Sequence, residues 1–276
     1  MIEPRTALES DHSPQALANA AALANAAARA SAAGRGTALA STPASPSALP
    51  DHVAVLLLAD VSANWRMWGW SRIVRGAAGL GRVPGLSMAK ALGSGHQGGF
   101  GLRPSVSRQG LFALFTDEKS ADDFIQRSAT VQTYRERSGE FLLAKLRATS
   151  SRGAWGGATM AVTADTPITE PVAALTRASI HPGKAMQFWR LSPHSEAALV
   201  EAPGCRLAVG LGEAPLLRQA TFSVWDSQVA MDAYARSGAH LAAIRSAQAG
   251  QWFSESMFVR FALLHMHGRW RGRDHG

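Results

Sequence analysis

Three blocks of this 276-residue chain recur in the same order, and that duplication restricts the fold more than any other feature of the sequence. At a shift of 119 residues Ala54, Leu56 and Ala59 fall on Ala173, Leu175 and Ala178. At the same shift Pro84, Gly85, Ala89, Leu92 and Gly93 fall on Pro203, Gly204, Ala208, Leu211 and Gly212. At a shift of 109, Asp117, Ala121, Asp123, Arg127 and Ser128 recur as Asp226, Ala230, Asp232, Arg236 and Ser237. Each copy reads as strand, helix, strand, strand, helix, strand. In the second copy Val172–Ile180 is β-like and Gly183–Ala202 has a helical pattern. Cys205–Gly212 and Gln219–Trp225 read as strands, Asp226 as an N-cap of a helix reaching about Gln251, and Met257–Leu264 as the closing strand. That order is the ferredoxin-like βαββαβ pattern. The expected fold class is α+β: ferredoxin-like repeats over 53–150 and 171–265, sheets facing and helices outside, forming within one chain the barrel that two subunits build in dimeric α+β barrels. The Gly-, Thr- and Ala-rich segment 151–170 reads as the linker.

Outside the repeats the composition changes. Residues 1–50 hold 17 alanines, six serines and five prolines, and no aromatic residue precedes Trp65. Such a segment buries too little apolar surface to offset its ordering entropy, so a disordered leader is expected. Residues 266–276 read as a basic tail. The longest unbroken apolar run, Val53–Ala59, is seven residues, against the ~20 that cross a bilayer. No basic, apolar and small-residue pattern of a secretory signal opens the sequence. A single cysteine, Cys205, excludes an intrachain disulfide framework and any multi-cysteine metal cluster. The expected location is the cytoplasm or, peripherally, the cytoplasmic side of the inner membrane.

The 28 Lys+Arg against 20 Asp+Glu give a net charge of +8, with only four lysines among the basic residues. An arginine-rich genome accounts for this as well as attraction to an anionic leaflet does. Nucleic acid is disfavoured, because no compact Lys/Arg run exists and tyrosines number two. Trp65, Trp68 and Trp70 stand beside Arg66, Arg72 and Arg75. Trp65 and Trp68, three apart, are expected on one helix face, either packed on the sheet or anchoring the chain at a membrane interface.

Gly93-Ser-Gly-His-Gln-Gly98 spells a dinucleotide fingerprint, but Gly99-Phe-Gly-Leu-Arg-Pro104 follows it instead of a helix. A hairpin loop fits better, and this loop is the ten residues by which copy one exceeds copy two. Of nine histidines, His12, His52 and His275 fall in the leader or tail, His181 precedes Pro182 at a junction, and His265 and His267 would make at most a two-point chelate. His240 differs. It shares a helix face with Ala233, Ile244 and Ala247, has small neighbours in Gly238, Ala239, Ala242 and Ala243, and aligns with Val131 in copy one. An ordinary half-exposed histidine and an Nε2 ligand to a haem iron, with Ile244 beside it, are both open at this point. Cys205 is the rival axial ligand, although its counterpart Leu86 favours a buried strand cysteine.

Arg82-Val-Pro-Gly-Leu86, Leu92-Gly-Ser-Gly95, Ser151-Arg-Gly-Ala-Trp155, Ala174-Leu-Thr-Arg177, Phe188-Trp189, Gly210-Leu-Gly-Glu213, Thr221-Phe-Ser-Val-Trp225, His240–Arg245 and Gln251-Trp-Phe253 together resemble landmarks of the spheroidene monooxygenases, the acyclic carotenoid 2-ketolases of purple phototrophic bacteria. The resemblance is collinear from Val53 to Leu264. It implies a haem b monooxygenase that takes electrons from reduced ferredoxin, uses O2, and oxidises C-2 of methoxylated acyclic carotenoids to the ketone through two hydroxylations and loss of water. His240 would then be the proximal ligand, with Arg177 and Arg218 the candidate catalytic donors by strand position. A cofactor-free barrel that binds a hydrophobic small molecule is the alternative of different class.

Overall fold

The computed structural model describes residues 52–99, 103–162, 169–214 and 217–276. The leader expected over 1–50 lies outside them. Copy one runs β1 (Val53–Val61), α1 (Arg66–Arg75), β2 (Leu86–Gly95), β3 (Pro104–Phe115), α2 (Glu118–Arg127), α3 (Ala129–Arg137) and β4 (Ser138–Gly153). Copy two runs β5 (Val172–Ile180), α4 (Ala185–Val200), β6 (Cys205–Ala214), β7 (Arg218–Trp225), α5 (Gln228–Ala235), α6 (Gly238–Ala249) and β8 (Phe253–Trp270), and β9 (Arg273–His275) folds back on β8.

The strand order β4-β1-β3-β2-β6-β7-β5-β8 closes through a β4–β8 pairing into an eight-stranded antiparallel barrel. Each half has the same internal order, so the two copies meet head to head. At one seam Gly93 pairs with Gly212, the glycines that align in the repeat, and Ser94 Oγ donates across it to the Gly210 carbonyl at 2.7 Å. The other seam is the long β4–β8 ladder. Strands such as Val53–Val61 are buried along both faces, because one face looks into the barrel and the other lies under helices. Ala54, Leu56, Phe112, Leu146, Leu175, Phe222 and Phe261 fill the interior.

The repeat registers differ in one detail from the sequence alignment. Phe115 and Trp225 occupy equivalent ladder positions opposite Val53 and Val172, a shift of 110 and not 109. The helix caps follow: Asp117 accepts the Ser120 N–H at 2.8 Å, while Ser227, and not Asp226, accepts that of Ala230 at 3.1 Å. The shift returns to 109 at Ser128 and Ser237, the N-caps of α3 and α6, because α5 is shorter than α2. The helix expected to run to Gln251 is therefore two helices, broken where Ser237 is extended and Gly238 takes φ +55°.

Two more segments depart from expectation. In the segment read as a linker, β4 continues to Gly153, and Trp155, 1% exposed, enters the barrel and stacks on Phe112 at 5.4 Å. Met160 is buried with it, and the Ala161 N–H donates to His52 Nδ1 at 2.9 Å. In the region read as a basic tail, β8 runs on to a buried Trp270 under the Arg108 guanidinium, 5.4 Å away, and Glu140 accepts the N–H groups of Arg271 and Gly272. A tryptophan able to bury that much surface turns a basic tail into a strand end. The glycine-rich fingerprint ends β2 and enters a short 3-10 turn, His96–Gly98, as its context requires.

Outside the barrel, each copy ties helix to strand with an equivalent ion pair. Lys145 bridges Glu118 and Asp122, both at 2.8 Å, and Arg260 reaches Asp232 at 2.5 Å. The hydrogen bond from Lys145, helped by Arg147 and opposed by burial, holds the Glu118 carboxyl below its ordinary value. A depressed carboxyl stabilises the fold above its unfolded pKa and loses that contribution as pH falls through the folded one. Glu118→Gln should therefore lower stability by about 0.5 kcal/mol at neutral pH, since the pair is partly exposed. The gap from wild type should close in acid; thermal melts at several pH values check this.

Candidate functional site

The two outer faces, one per copy, are built on equivalent residues and packed differently. In copy one Leu57 lies between Leu111 and Leu143 in the ladder, and all three are buried beneath α2 and α3 with Val131 and Tyr134. The Tyr134 hydroxyl donates to the buried Gln109 Oε1 at 3.0 Å, and Trp68 meets the Tyr134 ring edge-on at 4.9 Å. This face is sealed.

In copy two the same ladder positions are Thr176 between Thr221 and Phe258. Thr176 is exposed, and Thr221 and Phe258 are half-buried, although Ala174 and Ala178 on the same face of β5 are buried. On α6, His240 aligns with Val131 of copy one, and Ala243 with Tyr134. Leucines and a phenol have been exchanged for threonines and a methyl group. The middle of the second sheet is left open under α6 and α4, which pack on each other.

His240 belongs to the same side of the sheet, next to the small cluster of Trp225 and Val172. Its imidazole stacks on the Tyr234 ring at 4.6 Å and 27°, and Tyr234 stacks in turn on the buried Trp225 at 5.3 Å. Burial lowers the His240 pKa from its ordinary value, so the ring is neutral near pH 7. Ile244, one turn further on, is half-buried on the same helix. Behind Tyr234 a half-open crevice of about 360 Å3 is lined by Ala198, Ala202, Ala230 and Ala233. At the far edge Phe188 of α4 meets Phe253 of β8 at 6.1 Å.

Cys205 lies on this side of the sheet as well, packed against the same small core. Its thiol donates to the Leu207 carbonyl at 3.6 Å, and burial pushes its pKa up to about 11. A thiolate ligand would have to reverse that preference, whereas a neutral imidazole is already in its ligating form.

The two arginines are not brought to His240. Leu175 points into the barrel, so Arg177, two residues on, does too. It is 3% exposed, bonded to Glu255 and to Glu213 at 3.2 Å, with its guanidinium 5.9 Å from the Trp155 ring. Arg218 begins β7 on the face that carries Ala220 and Phe222 into the interior and is itself exposed at the rim. Both arginines belong to the opposite face of the sheet from α6. His265 and His267 lie side by side on β8, ring centroids 4.9 Å apart, and among the described residues no group of three or more His, Cys, Asp or Glu could hold a metal ion.

Thr176, Thr221 and Ala243 fall within stretches that carry the resemblance, but nothing there singles them out, and Tyr234 falls in none. Comparing the copies would have exposed Thr176, Thr221 and Ala243, as polar or small residues facing leucine or tyrosine.

No protein-family model matches the chain. It is 55% identical over 237 residues to the spheroidene monooxygenase of Rubrivivax gelatinosus, covering 86% of this chain and 91% of that protein. It is 35% identical over 211 residues to the spheroidene monooxygenase of Rhodobacter capsulatus, covering 75% and 88%. Among solved structures, an aldoxime dehydratase superposes with a TM-score of 0.51 over 77% of this chain and 81% of its own, at 12% identity, a likeness of fold alone.

Proposed function

Because the chain belongs to the spheroidene monooxygenase family, we propose that it is a haem-dependent carotenoid ketolase, oxidising C-2 of acyclic methoxylated carotenoids. The observation that carries the reading at the level of residues is the asymmetry between the copies: one outer face is sealed, and its equivalent, on the side of the sheet that carries α6 and His240, is open. Reduced ferredoxin is the proposed electron donor. Each hydroxylation consumes one O2, two electrons and two protons and releases one water; two at the same carbon give a geminal diol, which loses water to the ketone.

The residues present fit haem b. His240 would hold the iron, and the bound group would supply activation of O2 for insertion into a C–H bond. Stacking on Tyr234 fixes the plane of the imidazole, and a helix-borne ligand keeps its orientation better than one on a loop. Ala243 leaves room against α6, where a tyrosine would fill it. Ile244 on α6, Phe258 on β8 and Phe188 on α4 would offer apolar surface to a hydrocarbon substrate. Thr176 and Thr221 are the hydroxyl groups of the floor, placed to donate hydrogen bonds within the opening.

The purified protein should show a Soret band that moves when carbon monoxide is added after reduction. With spheroidene, reduced ferredoxin and O2 the product should gain one oxygen and lose two hydrogens, and the 2-hydroxy compound should accumulate when electrons are limiting. A protein that binds carotenoid without a Soret band would support the cofactor-free alternative.

A further inference from the structure

From Val61 to Thr116 the chain contains no aspartate or glutamate, while Arg66, Arg72, Arg75, Arg82, Lys90, Arg103 and Arg108 all fall within it. Helix α1 lies in that stretch. Its outward side carries Met67, Trp70 and Val74, spaced three and four apart and so on one face. They are 83%, 42% and 83% exposed. Arg66 and Arg75 are also exposed and flank the stripe on its two sides. Trp65, 43% exposed, ends the 3-10 turn Ala63–Trp65 that leads into the helix, with the Arg137 guanidinium 3.9 Å from its ring.

Trp68 is not part of this surface. Trp65 just precedes the helix, which begins at Arg66, yet its ring and that of Trp68 meet the same Arg137 guanidinium, at 3.9 and 4.9 Å, so the two tryptophans lie on one side as their spacing suggests. Trp68 turns inward onto Tyr134.

We propose that the outer face of α1 docks the protein on an anionic bilayer. Trp65, Met67, Trp70 and Val74 would enter the headgroup region, and Arg66, Arg75 and Arg82 would meet lipid phosphates. Tryptophan beside arginine, on a helix whose opposite side is fixed to a sheet, matches a helix lying in the interface plane. No described helix is long and apolar enough to cross a membrane, so this contact is peripheral. An acidic protein would satisfy the arginines too, but it would leave a methionine and a valine, each 83% exposed, without a hydrocarbon partner. The proposal rests on the carotenoid reading only for why a bilayer is approached, since a polyene dissolved in lipid must be met there. Its test does not use the reaction.

The full chain is sedimented with vesicles of phosphatidylcholine, with and without phosphatidylglycerol. Binding is expected only with the anionic lipid and should weaken as salt rises. Arg66→Gln/Arg75→Gln should lower the partition coefficient at least tenfold, each arginine near the surface contributing roughly fivefold. Met67→Ser/Trp70→Ser/Val74→Ser should lower it similarly, with an unchanged circular dichroism spectrum, and Trp68→Phe should bind as wild type does. Equal binding of wild type and both surface variants overturns the proposal. So does a double arginine variant that keeps its vesicle affinity and loses affinity for ferredoxin, which would make α1 a protein-docking face. Loss of the haem reading would leave these results untouched.

Discussion

His240→Ala is expected to purify as a folded protein that carries no haem and converts no carotenoid, whereas Cys205→Ser keeps both. The histidine is half-buried beside an opening and not inside a packed core, so its truncation removes little structure. It removes the one imidazole that α6 carries. The cysteine is already satisfied by a carbonyl and disfavoured as thiolate by burial. Ala243→Tyr makes the converse test. It recreates at the open face the phenol that seals copy one through Tyr134, and should exclude haem while the barrel melts as before. Haem content from the pyridine haemochrome, ketone formation and a thermal melt are read on all three variants. Full occupancy with an unchanged spectrum in His240→Ala removes the assignment; loss of haem in Cys205→Ser alone moves it to the thiol.

The fold was legible because both copies obey the same local demands. Gly85 and Gly204 recur since each takes positive φ, and a Cβ there would press on Ser120 and Ala230 respectively. Ala54/Ala173 and Leu56/Leu175 recur since each pair fills the same barrel interior. Other features depend on what covers a residue, which periodicity does not encode. Alternation along β5 puts Arg177 with Leu175, but which side of the strand faces helices is set by barrel closure. Trp155 stands alone in a glycine-rich stretch, and only the three-dimensional arrangement seats it over Phe112. Trp68 is half-buried against Tyr134, a contact that its spacing from Trp65 does not encode. The open face was recoverable in part: Leu57 against Thr176 is visible at the shift of 119. Its meaning needed the ladder, which places Thr221 and Phe258 on either side.

Arg177 should prove structural, and the expected effect on stability is large. Its guanidinium closes one end of the barrel interior: Glu213 accepts from it and pairs with Lys90 at 3.1 Å, while Glu255 accepts from it and from the N–H groups of Gly156 and Gly157. Burial opposes ionisation of Glu213, yet Trp155, Lys90 and Arg177 beside it hold its carboxyl below the ordinary range. Arg177→Met would leave the half-buried Glu213 with Lys90 alone and the more exposed Glu255 without its cation. Removing the buried partner of such a pair costs about 3 kcal/mol at most, and the exposure of Glu255 brings the expected loss nearer to about 2 kcal/mol, or roughly 6 °C in Tm for a domain of this size. Arg177→Met/Glu255→Gln should recover part of that loss, because the second change removes the charge left behind. Below its lowered Tm the single variant should retain the haem spectrum and the oxidation chemistry, since Arg177 lies on the face of β5 turned away from His240. A variant with wild-type stability and no ketone formation would contradict this and return Arg177 to the chemistry.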